Sequence, residues 1–159
     1  VFDGYYNASD ATAETRRGAW TSVGDVAFID EDGFVFIRDR KRDMIISGGV
    51  NIYPAQIEAV LQLMPGVADC AVFGVPDPVF GEAVCTHIQP QSTVQLTEAD
   101  VAAWLKGKLA SYELPKIIKI DSSLPREESG KIMKASMQTT SYGVERAYVP
   151  AKPQVDAGF

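Results

Sequence analysis

The sequence predicts a small α+β domain with a short mixed or antiparallel sheet and packed helices, preceded by a β-hairpin. Two alternating apolar runs surround an Asp-Gly pair within residues 26–38, which indicates the hairpin. Farther along, two segments have helical apolar spacing, and β-branched runs lie between and after them. The order strand, helix, strand, strand, helix, strand over roughly residues 43–137 is typical of an α+β fold.

Length, composition and charge limit the class of protein. A chain of 159 residues with 46% hydrophobic content suits one domain of ordinary size, or one domain plus part of another. The net charge of -6 argues against a nucleic-acid surface. No apolar run has the length of a transmembrane segment and no leader precedes the domain, so we expect a cytoplasmic protein. Because the chain opens on Val1 inside the aromatic phrase VFDGYY, we expect it to be a piece of something longer.

A charged junction follows the predicted hairpin. Residues 38–43 read RDRKRD, and six consecutive charged residues cannot enter a core. We therefore place a domain boundary here, with residues 1–41 before it and residues 42–137 after it.

The segment after the junction contains two predicted helices. Pro54 stands where a first helical turn accepts proline, and Pro65-Gly66 ends that helix. Thr97 and Asp100 have the spacing of a capping box that opens the second helix. The predicted buried positions are Ile57, Val60, Leu61 and Met64 in the first helix, and Val101, Trp104, Leu105 and Leu109 in the second.

Strands are predicted at residues 69–75, 83–89 and 117–120 from their β-branched and apolar composition. Cys70 and Cys85 lie in such surroundings, so we expect buried thiols rather than a disulfide or a metal pair. His87 lies in the same kind of strand and is expected to be structural. No metal ligands are predicted. Residues 138–159 are predicted to form an extended or disordered tail.

Three short features could carry chemistry. Lys131 closes the polar loop LPREESGK, which we expect to be mobile and to deliver a cation to anionic chemistry. This loop is not a phosphate-binding P-loop, because Pro125 and Ile132 stand where that pattern requires glycine and Ser or Thr. Asp25 could accept hydrogen bonds from a ribose diol, and the glycines of SGGVN (residues 47–51) could admit a ligand close to the backbone. Taken singly, each feature is more typical of an ordinary loop or turn than of a functional site.

Taken together and in order, the features point to one family. The stretches GDVAFIDEDGFVFIRDRKRDMIISGGVNIYPAQIEAVL, VFGVPDPVFGEAV and LPREESGKIMK resemble the C-terminal part of adenylate-forming (AMP-binding) enzymes, and more narrowly of acyl-CoA synthetases, the fatty-acid–CoA ligases. The resemblance covers about residues 1–137. It implies that residues 42–137 are a mobile C-terminal lid domain and that residues 1–41, with the hairpin, are the end of a large N-terminal domain.

The resemblance also implies a reaction. Such enzymes use ATP to convert a carboxylic acid to an acyl-adenylate, with release of pyrophosphate, and then transfer the acyl group to CoA. The implied small-molecule partners are a carboxylic acid, in particular a fatty acid, together with ATP and Mg²⁺, and CoA. The implied protein partner is the chain's own N-terminal domain. Because that domain would bind most of the ATP, we expect this chain alone to be inactive.

Site residues follow from the resemblance position by position. Lys131 corresponds to the lysine of the adenylation step, and Asp25 and Arg40 correspond to residues that contact the ribose of ATP. The implied hinge and CoA-facing positions are Arg42 for the hinge and Gly48 and Gly49 for the loop that lines the pantetheine tunnel.

Two positions depart from the family pattern, and other functions remain open. Val23 replaces a threonine that usually precedes Gly-Asp, and Val50 replaces a glutamate that often follows Gly-Gly. The alternatives are the amino-acid-adenylating domain of a peptide synthetase, a luciferase-type enzyme, and a non-catalytic binding module that keeps the fold. A carrier module, which would favour the peptide synthetase, is not visible in the tail.

Overall fold

The structure, a computed structural model, describes Gly4 and residues 6–143. These residues form two compact units that divide between Gly24 and Asp25. The elements of the first unit are α1 (Ser9–Thr15), β1 (Arg16–Arg17) and β2 (Trp20–Thr21), and the two strands are antiparallel. In the described part of the chain, no helix is both long and apolar enough to span a membrane.

The second unit begins with the predicted hairpin and continues into the predicted α+β domain. Its elements are β3 (Asp25–Ile29), β4 (Val35–Arg40), a 3-10 turn (Lys41–Asp43), β5 (Ile45–Ser47), β6 (Val50–Ile52), α2 (Pro54–Gln62), β7 (Val67–Asp77), β8 (Gly81–Pro90), α3 (Glu98–Leu105), β9 (Ile117–Ile120) and α4 (Lys134–Tyr142). This order confirms the predicted fold class.

A five-stranded mixed sheet forms the centre of the second unit. Strand β8 lies inside the sheet and pairs antiparallel with β7 from Val67↔Pro90 to Asp77↔Gly81. On its other edge, β8 pairs with two strands. Its first residue, Gly81, pairs antiparallel with Ser47 of β5, and residues 85–88 pair in parallel with β9. Strand β6 extends the sheet by pairing antiparallel with β5.

Both faces of the sheet are covered, which explains why β7 and β8 are apolar without simple alternation. Helices α2 and α3 pack on one face and α4 packs on the other. The core on the first face includes Ile45, Ile57, Leu61, Val72, Val84, Ile88, Val101 and Leu105. The core on the second face includes Ala71, Phe73, Val75, Ala83, Cys85, Leu124 and Met137.

The predicted capping box starts α3. The Thr97 hydroxyl accepts a hydrogen bond from the Asp100 amide at 3.2 Å, and the Asp100 carboxylate accepts one from the Thr97 amide at 2.9 Å. The Thr97 hydroxyl also donates to the Asp100 carboxylate at 2.6 Å, and this bond, followed by that from the Thr97 amide, lowers the pKa of Asp100. The helix ends at Leu105, earlier than predicted, and Gly107 follows with a φ of 80°. Leu109 therefore lies beyond the helix, although it still packs against the core.

The prediction of an extended tail from residue 138 is wrong for residues 138–142, which complete α4. Gln138 is buried and its side-chain amide donates a hydrogen bond to the Gly74 carbonyl at 2.8 Å. Gly143, with a φ of 64°, ends the helix in the left-handed conformation. Residues 144–159 of the predicted tail lie outside the described residues.

The boundary between compact units also differs from the predicted one at residues 41/42. The hairpin belongs to the second unit, which begins at Asp25. Asp39 accepts a hydrogen bond from the Ala55 amide at 2.9 Å, and the Arg38 guanidinium lies 5.8 Å from the centre of the Tyr53 ring. These contacts tie β4 to the start of α2. That the hairpin is the end of a larger N-terminal domain stays a prediction.

Candidate functional site

Lys131 lies on a hydrogen-bonded turn, here called the Lys131 turn (residues 126–132). Arg126 and Ile132 form an antiparallel bridge at its base. Inside it, the Glu127 amide donates to the Lys131 carbonyl and the Gly130 amide donates to the Glu127 carbonyl, each at 2.9 Å. Gly130 has a φ of 85°, as in hairpin loops that end with a left-handed glycine. The loop therefore forms a tight, hydrogen-bonded turn, and its expected mobility stays a prediction.

The Lys131 side chain is exposed. Within residues 6–143, its ammonium has no hydrogen-bond acceptor and no carboxylate partner. Lys134 differs, because its ammonium lies 2.6 Å from the Glu58 carboxylate. Lys131 is thus a cation on an ordered support whose charge is available to a ligand.

Asp25 and Arg40 come together at the open end of the hairpin. They are directly opposite in the ladder between β3 and β4, and Arg40 Nε lies 3.9 Å from Asp25 Oδ1. Both side chains stay accessible, with 32% exposure for Asp25 and 56% for Arg40. Arg42 follows in the 3-10 turn, where its Nε lies 3.6 Å from Asp43 Oδ1. The structure therefore groups the two predicted ribose contacts beside the predicted hinge position.

Gly48 and Gly49 form the two-residue turn between β5 and β6, here called the Gly48–Gly49 turn. Both have positive φ angles, 57° and 83°, which is the geometry of a type I′ hairpin turn. The Gly48 amide donates to the Phe80 carbonyl at 2.8 Å. A Cβ on Gly48 would lie 3.0 Å from a Phe80 ring carbon, whereas a Cβ on Gly49 would meet open space. The turn is a bare backbone surface against an aromatic ring.

A cavity of about 360 Å³ opens beside this turn. Its walls include Gly48, Phe80, Tyr112 and Lys116. The Lys116 ammonium lies 4.0 Å from the centre of the Phe80 ring and 2.9 Å from the Asp77 carboxylate. Aromatic walls, bare backbone and one cation make this a candidate ligand cavity.

Lys116 also lowers the pKa of Asp77. Its hydrogen bond, with smaller contributions from the Phe80 and Val79 amides, lowers the pKa of Asp77 to about 2. Sequence reasoning missed Phe80, Tyr112 and Lys116, because they come from distant segments and no local spacing links them. Only the folded sheet brings them to Gly48.

The two turns lie at opposite ends of the ladder between β7 and β8. At one end, Arg126 contacts Asp69 of β7, and the Leu124 amide donates to the Gln89 side chain of β8. At the other end, the Gly48–Gly49 turn contacts Phe80, at the turn between these two strands. Asp77 lies eight positions after Asp69 in β7, so this part of the strand is about 26 Å long at the usual rise per residue.

Cys70 and Cys85 are buried as predicted, and His87 is buried within a hydrogen-bond network. His87 Nδ1 lies 2.6 Å from Asp121 Oδ2, and His87 Nε2 lies 3.2 Å from the Tyr142 hydroxyl. Cys85 Sγ donates to the same hydroxyl at 3.2 Å. Both cysteines are free and buried; burial raises the pKa of Cys85 and raises that of Cys70 to about 12. This network pins Tyr142 of α4 to the sheet.

Among Gly4 and residues 6–143, no three His, Cys, Asp or Glu side chains are grouped so that they could hold a metal ion. The Mg²⁺ that the resemblance implies is expected to bind with ATP mainly at the N-terminal domain, so no residue described here is assigned to it.

The fold and the site define a class: a small α+β domain that carries an accessible lysine on one turn and a two-glycine turn at the far end of its sheet. Comparison with known proteins gives the family. Residues 56–131 match the model of the AMP-binding enzyme C-terminal domain. This segment therefore belongs to that family, and the resemblance read from the three motifs is confirmed.

Relatives extend the similarity beyond this segment. A feruloyl-CoA synthase from Amycolatopsis is 44% identical over 138 residues, which are 87% of this chain and 28% of the relative. ATP-bound MatB from Rhodopseudomonas palustris has a TM-score of 0.80 at 37% identity, over 88% of this chain and 28% of MatB. An o-succinylbenzoate CoA synthetase (MenE) from Bacillus subtilis, in complex with its acyl-adenylate intermediate, has a TM-score of 0.79 at 31% identity, over 87% of this chain and 28% of MenE. The chain thus spans a little over a quarter of the length of these proteins.

Proposed function

We propose that this chain is the C-terminal part of an ATP-dependent, AMP-forming acid–thiol ligase, an acyl-CoA synthetase. The proposal depends above all on Lys131. An exposed ammonium without a partner in the described chain stands on an ordered turn, at the last residue of the segment that matches the family model. A cation held in this way suits chemistry between anions.

The first half-reaction joins two anions. A carboxylate oxygen attacks the α-phosphorus of ATP, the acyl-adenylate forms and pyrophosphate leaves. Because like charges must approach, a cation aimed at the reacting oxygens stabilises the transition state. Lys131 supplies that cation in this proposal. Asp25 accepts hydrogen bonds from the ribose hydroxyls, and the adjacent Arg40 contacts the same ribose.

The second half-reaction needs room more than charge. The CoA thiol attacks the acyl carbonyl and AMP leaves, so the pantetheine arm must reach the acyl-adenylate through a narrow passage. The Gly48–Gly49 turn offers backbone without side chains for that passage. The cavity beside it supplies aromatic walls and the cation of Lys116 for the remainder of CoA. Val50 also lines this cavity, so the carboxylate that many family members carry at that position is replaced by an apolar wall.

One rigid unit does not present both turns to the same reaction centre at once, because they adjoin opposite ends of β7, whose span from Asp69 to Asp77 is about 26 Å at the usual rise per residue. We therefore infer that the unit pivots between half-reactions, with Arg42 in the 3-10 turn at the hinge. The ordered Lys131 turn favours movement of the whole unit over movement of the loop. Since the turn is fixed to the sheet, Lys131 is withdrawn when the Gly48–Gly49 turn is brought in.

The partner in this pivot would be an N-terminal domain that holds most of the ATP site. The β3–β4 hairpin supports such a partner, since both of its faces expose large apolar side chains. Ile29 and Ile37 are each 69% exposed, and Phe28 and Phe36 on the opposite face are 44% and 45% exposed. Two-stranded hairpins are marginally stable alone, so this one needs a cover.

The acid substrate is proposed only as a class. A fatty acid was inferred from the family resemblance, whereas the names of the relatives above point to feruloyl and succinylbenzoyl groups. The acyl pocket belongs to the proposed N-terminal domain, so the residues described here do not select among alkyl, aryl and dicarboxylic acids.

The test is an assay of the full-length protein that contains this chain. We expect AMP and an acyl-CoA to form only with ATP, CoA and one class of carboxylic acid, from a panel of fatty, hydroxycinnamic and dicarboxylic acids analysed by mass spectrometry. The 159-residue chain serves as a control and is expected to be inactive. Amino-acid-dependent pyrophosphate exchange without acyl-CoA would favour the peptide-synthetase alternative. No acid activation at all would favour a binding module and overturn the proposal.

A further inference from the structure

We propose that Arg126 is a positioning residue for Lys131: it holds the Lys131 turn in its conformation by joining the Gly130 carbonyl to the Asp69 carboxylate. Its effect on catalysis rests on the role proposed above for Lys131 in acid activation. Arg126 itself need not touch the substrate.

The contacts of Arg126 occupy both terminal nitrogens of its guanidinium. Nη1 donates to the Gly130 carbonyl at 3.0 Å, and Nη2 lies 2.6 Å from Asp69 Oδ2. The guanidinium is planar and its donors form a fixed fork, so one contact constrains the direction of the other. The Gly130 carbonyl belongs to the peptide bond that leads into Lys131. Fixing that carbonyl therefore fixes the plane from which the Lys131 side chain starts.

Asp69 is a firm anchor. It lies in β7 opposite Gln89 of β8, and its second carboxylate oxygen accepts a hydrogen bond from the Cys70 amide at 2.8 Å. The side chains of Asp69 and Arg126 are 26% and 37% exposed. A charge-assisted contact of this kind is stronger and more directional than a fully exposed ion pair. Through Arg126, the turn is held to the central sheet rather than to another loop.

The turn needs this link because its own restraints are few. Three backbone hydrogen bonds close it, donated by the Glu127, Gly130 and Met133 amides, and Gly130, at a φ of 85°, has more conformational freedom than any other residue type would have there. Without Arg126, the Gly130 carbonyl loses its side-chain donor and the tip loses its tie to β7. Lys131 would then sample more orientations, and fewer of them would place the ammonium at the reacting oxygens.

The expected kinetic effect is selective. A displacement of about 1 Å at a reacting group can lower a rate by about 100-fold, so we expect Arg126→Met to lower kcat of acid-dependent pyrophosphate release by about 10- to 100-fold. KM for ATP and the rate of acyl transfer from preformed acyl-adenylate to CoA should stay near wild type. Arg126→Lys, which keeps the charge but cannot make both contacts, should fall between the two.

The experiment measures amide hydrogen exchange and both half-reactions in the full-length protein. In Arg126→Met, the amides of Glu127, Gly130 and Met133, which close the turn, should exchange at least about tenfold faster, while those of the Gly48–Gly49 turn are unchanged. Asp69→Asn removes the anchor from the other side and should give the same pattern. Lys108→Met is the matched control, because Lys108 also donates to a backbone carbonyl, that of Trp104 at 2.9 Å, but lies just beyond the end of α3, away from the Lys131 turn in sequence.

The outcomes separate this inference from the proposed function. Unchanged amide exchange in both Arg126→Met and Asp69→Asn would show that Arg126 does not hold the Lys131 turn, whatever the activity of the variants. Faster amide exchange with an unchanged adenylation rate would show that Arg126 holds the turn but does not position Lys131 for catalysis. A wild-type protein that activates no acid would overturn the proposed function and with it the catalytic part of this inference, and the exchange data would still decide whether Arg126 holds the turn.

Discussion

The Lys131 turn and the Gly48–Gly49 turn share a backbone feature but present different chemical groups. Each is a tight reversal that depends on glycine at positive φ, with 85° at Gly130 and 57° and 83° at Gly48 and Gly49. The first turn presents a long cationic side chain without a described partner, whereas the second presents bare backbone against Phe80. One adds charge and the other removes bulk, which are the separate needs of the two proposed half-reactions.

Their supports differ as well. The Lys131 turn is held by the side chain of Arg126 to Asp69, 57 residues away in sequence. The Gly48–Gly49 turn is held by the backbone hydrogen bond from Gly48 to Phe80 and by the strands it connects. Side-chain substitutions should therefore disturb the first turn, whereas added bulk should disturb the second.

Removing the charge should have the largest effect. We expect Lys131→Ala to lower the rate of acid-dependent pyrophosphate release by about 100- to 1,000-fold in the full-length protein, the usual loss when one charge-stabilising donor is removed from a transition state. Rapid-quench measurement with labelled ATP would follow this step. Lys108→Ala, a control at another exposed lysine, should stay near wild type. A loss of less than about threefold in Lys131→Ala would show that the cation is not used.

Adding bulk to the other turn should have a smaller and complementary effect. In Gly48→Ala, the new Cβ would lie 3.0 Å from Phe80 in a left-handed conformation. Left-handed strain of about 1–2 kcal/mol plus this contact should shift the turn, and we expect acyl transfer to CoA to slow by about tenfold while adenylation is preserved.

Gly49→Ala is the matched comparison, since its φ is also positive but its Cβ would meet open space. It should share the strain and lack the contact, so its effect on acyl transfer should be smaller than that of Gly48→Ala. Equal effects on adenylation and acyl transfer in either variant would mean that the turn does not discriminate between the steps.

The smallest expected effect concerns pH at the end of the sheet that carries the Gly48–Gly49 turn. Lys116 lowers the pKa of Asp77 from a usual value of 3.8 to about 2. The native state therefore binds fewer protons than the unfolded state between these values, so folding becomes more favourable as pH rises from about 2 to 4. Because its partner Lys116 is 47% exposed, solvent screens the ion pair and this contribution is modest.

Asp77→Asn should remove that contribution and flatten stability across the same pH window, as measured by urea unfolding at each pH. A carboxyl of Asp77 that titrates near its usual pKa by NMR would contradict the ion pair with Lys116. Exchange in the Lys131 turn, at the other end of the sheet, should not change in this variant.

Local features of the fold were predictable from sequence because their causes are local. The capping box of Thr97 and Asp100 and the Asp-Gly hairpin depend on residues within a few positions of one another. The end of α4 was not predictable in this way. Residues 138–142 have little periodicity, and they are helical because Gln138 bonds to Gly74 and Tyr142 joins the His87 network.

The candidate site divides in the same way. Lys131, Asp25, Arg40, Arg42 and the two glycines could be named because they lie in short motifs that resemble a family. The Asp69 partner of Arg126 could not be named, because nothing near LPREESGK in sequence indicates it. The cavity of Phe80, Tyr112 and Lys116 could not be named either, since three separated segments build it. The contacts that support the site come from the tertiary fold.

The most direct test of the division between the two turns is acyl transfer from purified acyl-adenylate to CoA in the Lys131→Ala full-length protein. We expect its single-turnover rate to stay within about threefold of wild type, although pyrophosphate release in the same preparation falls by about 100-fold or more. A comparable loss in both half-reactions would contradict the assignment of Lys131 to acid activation alone.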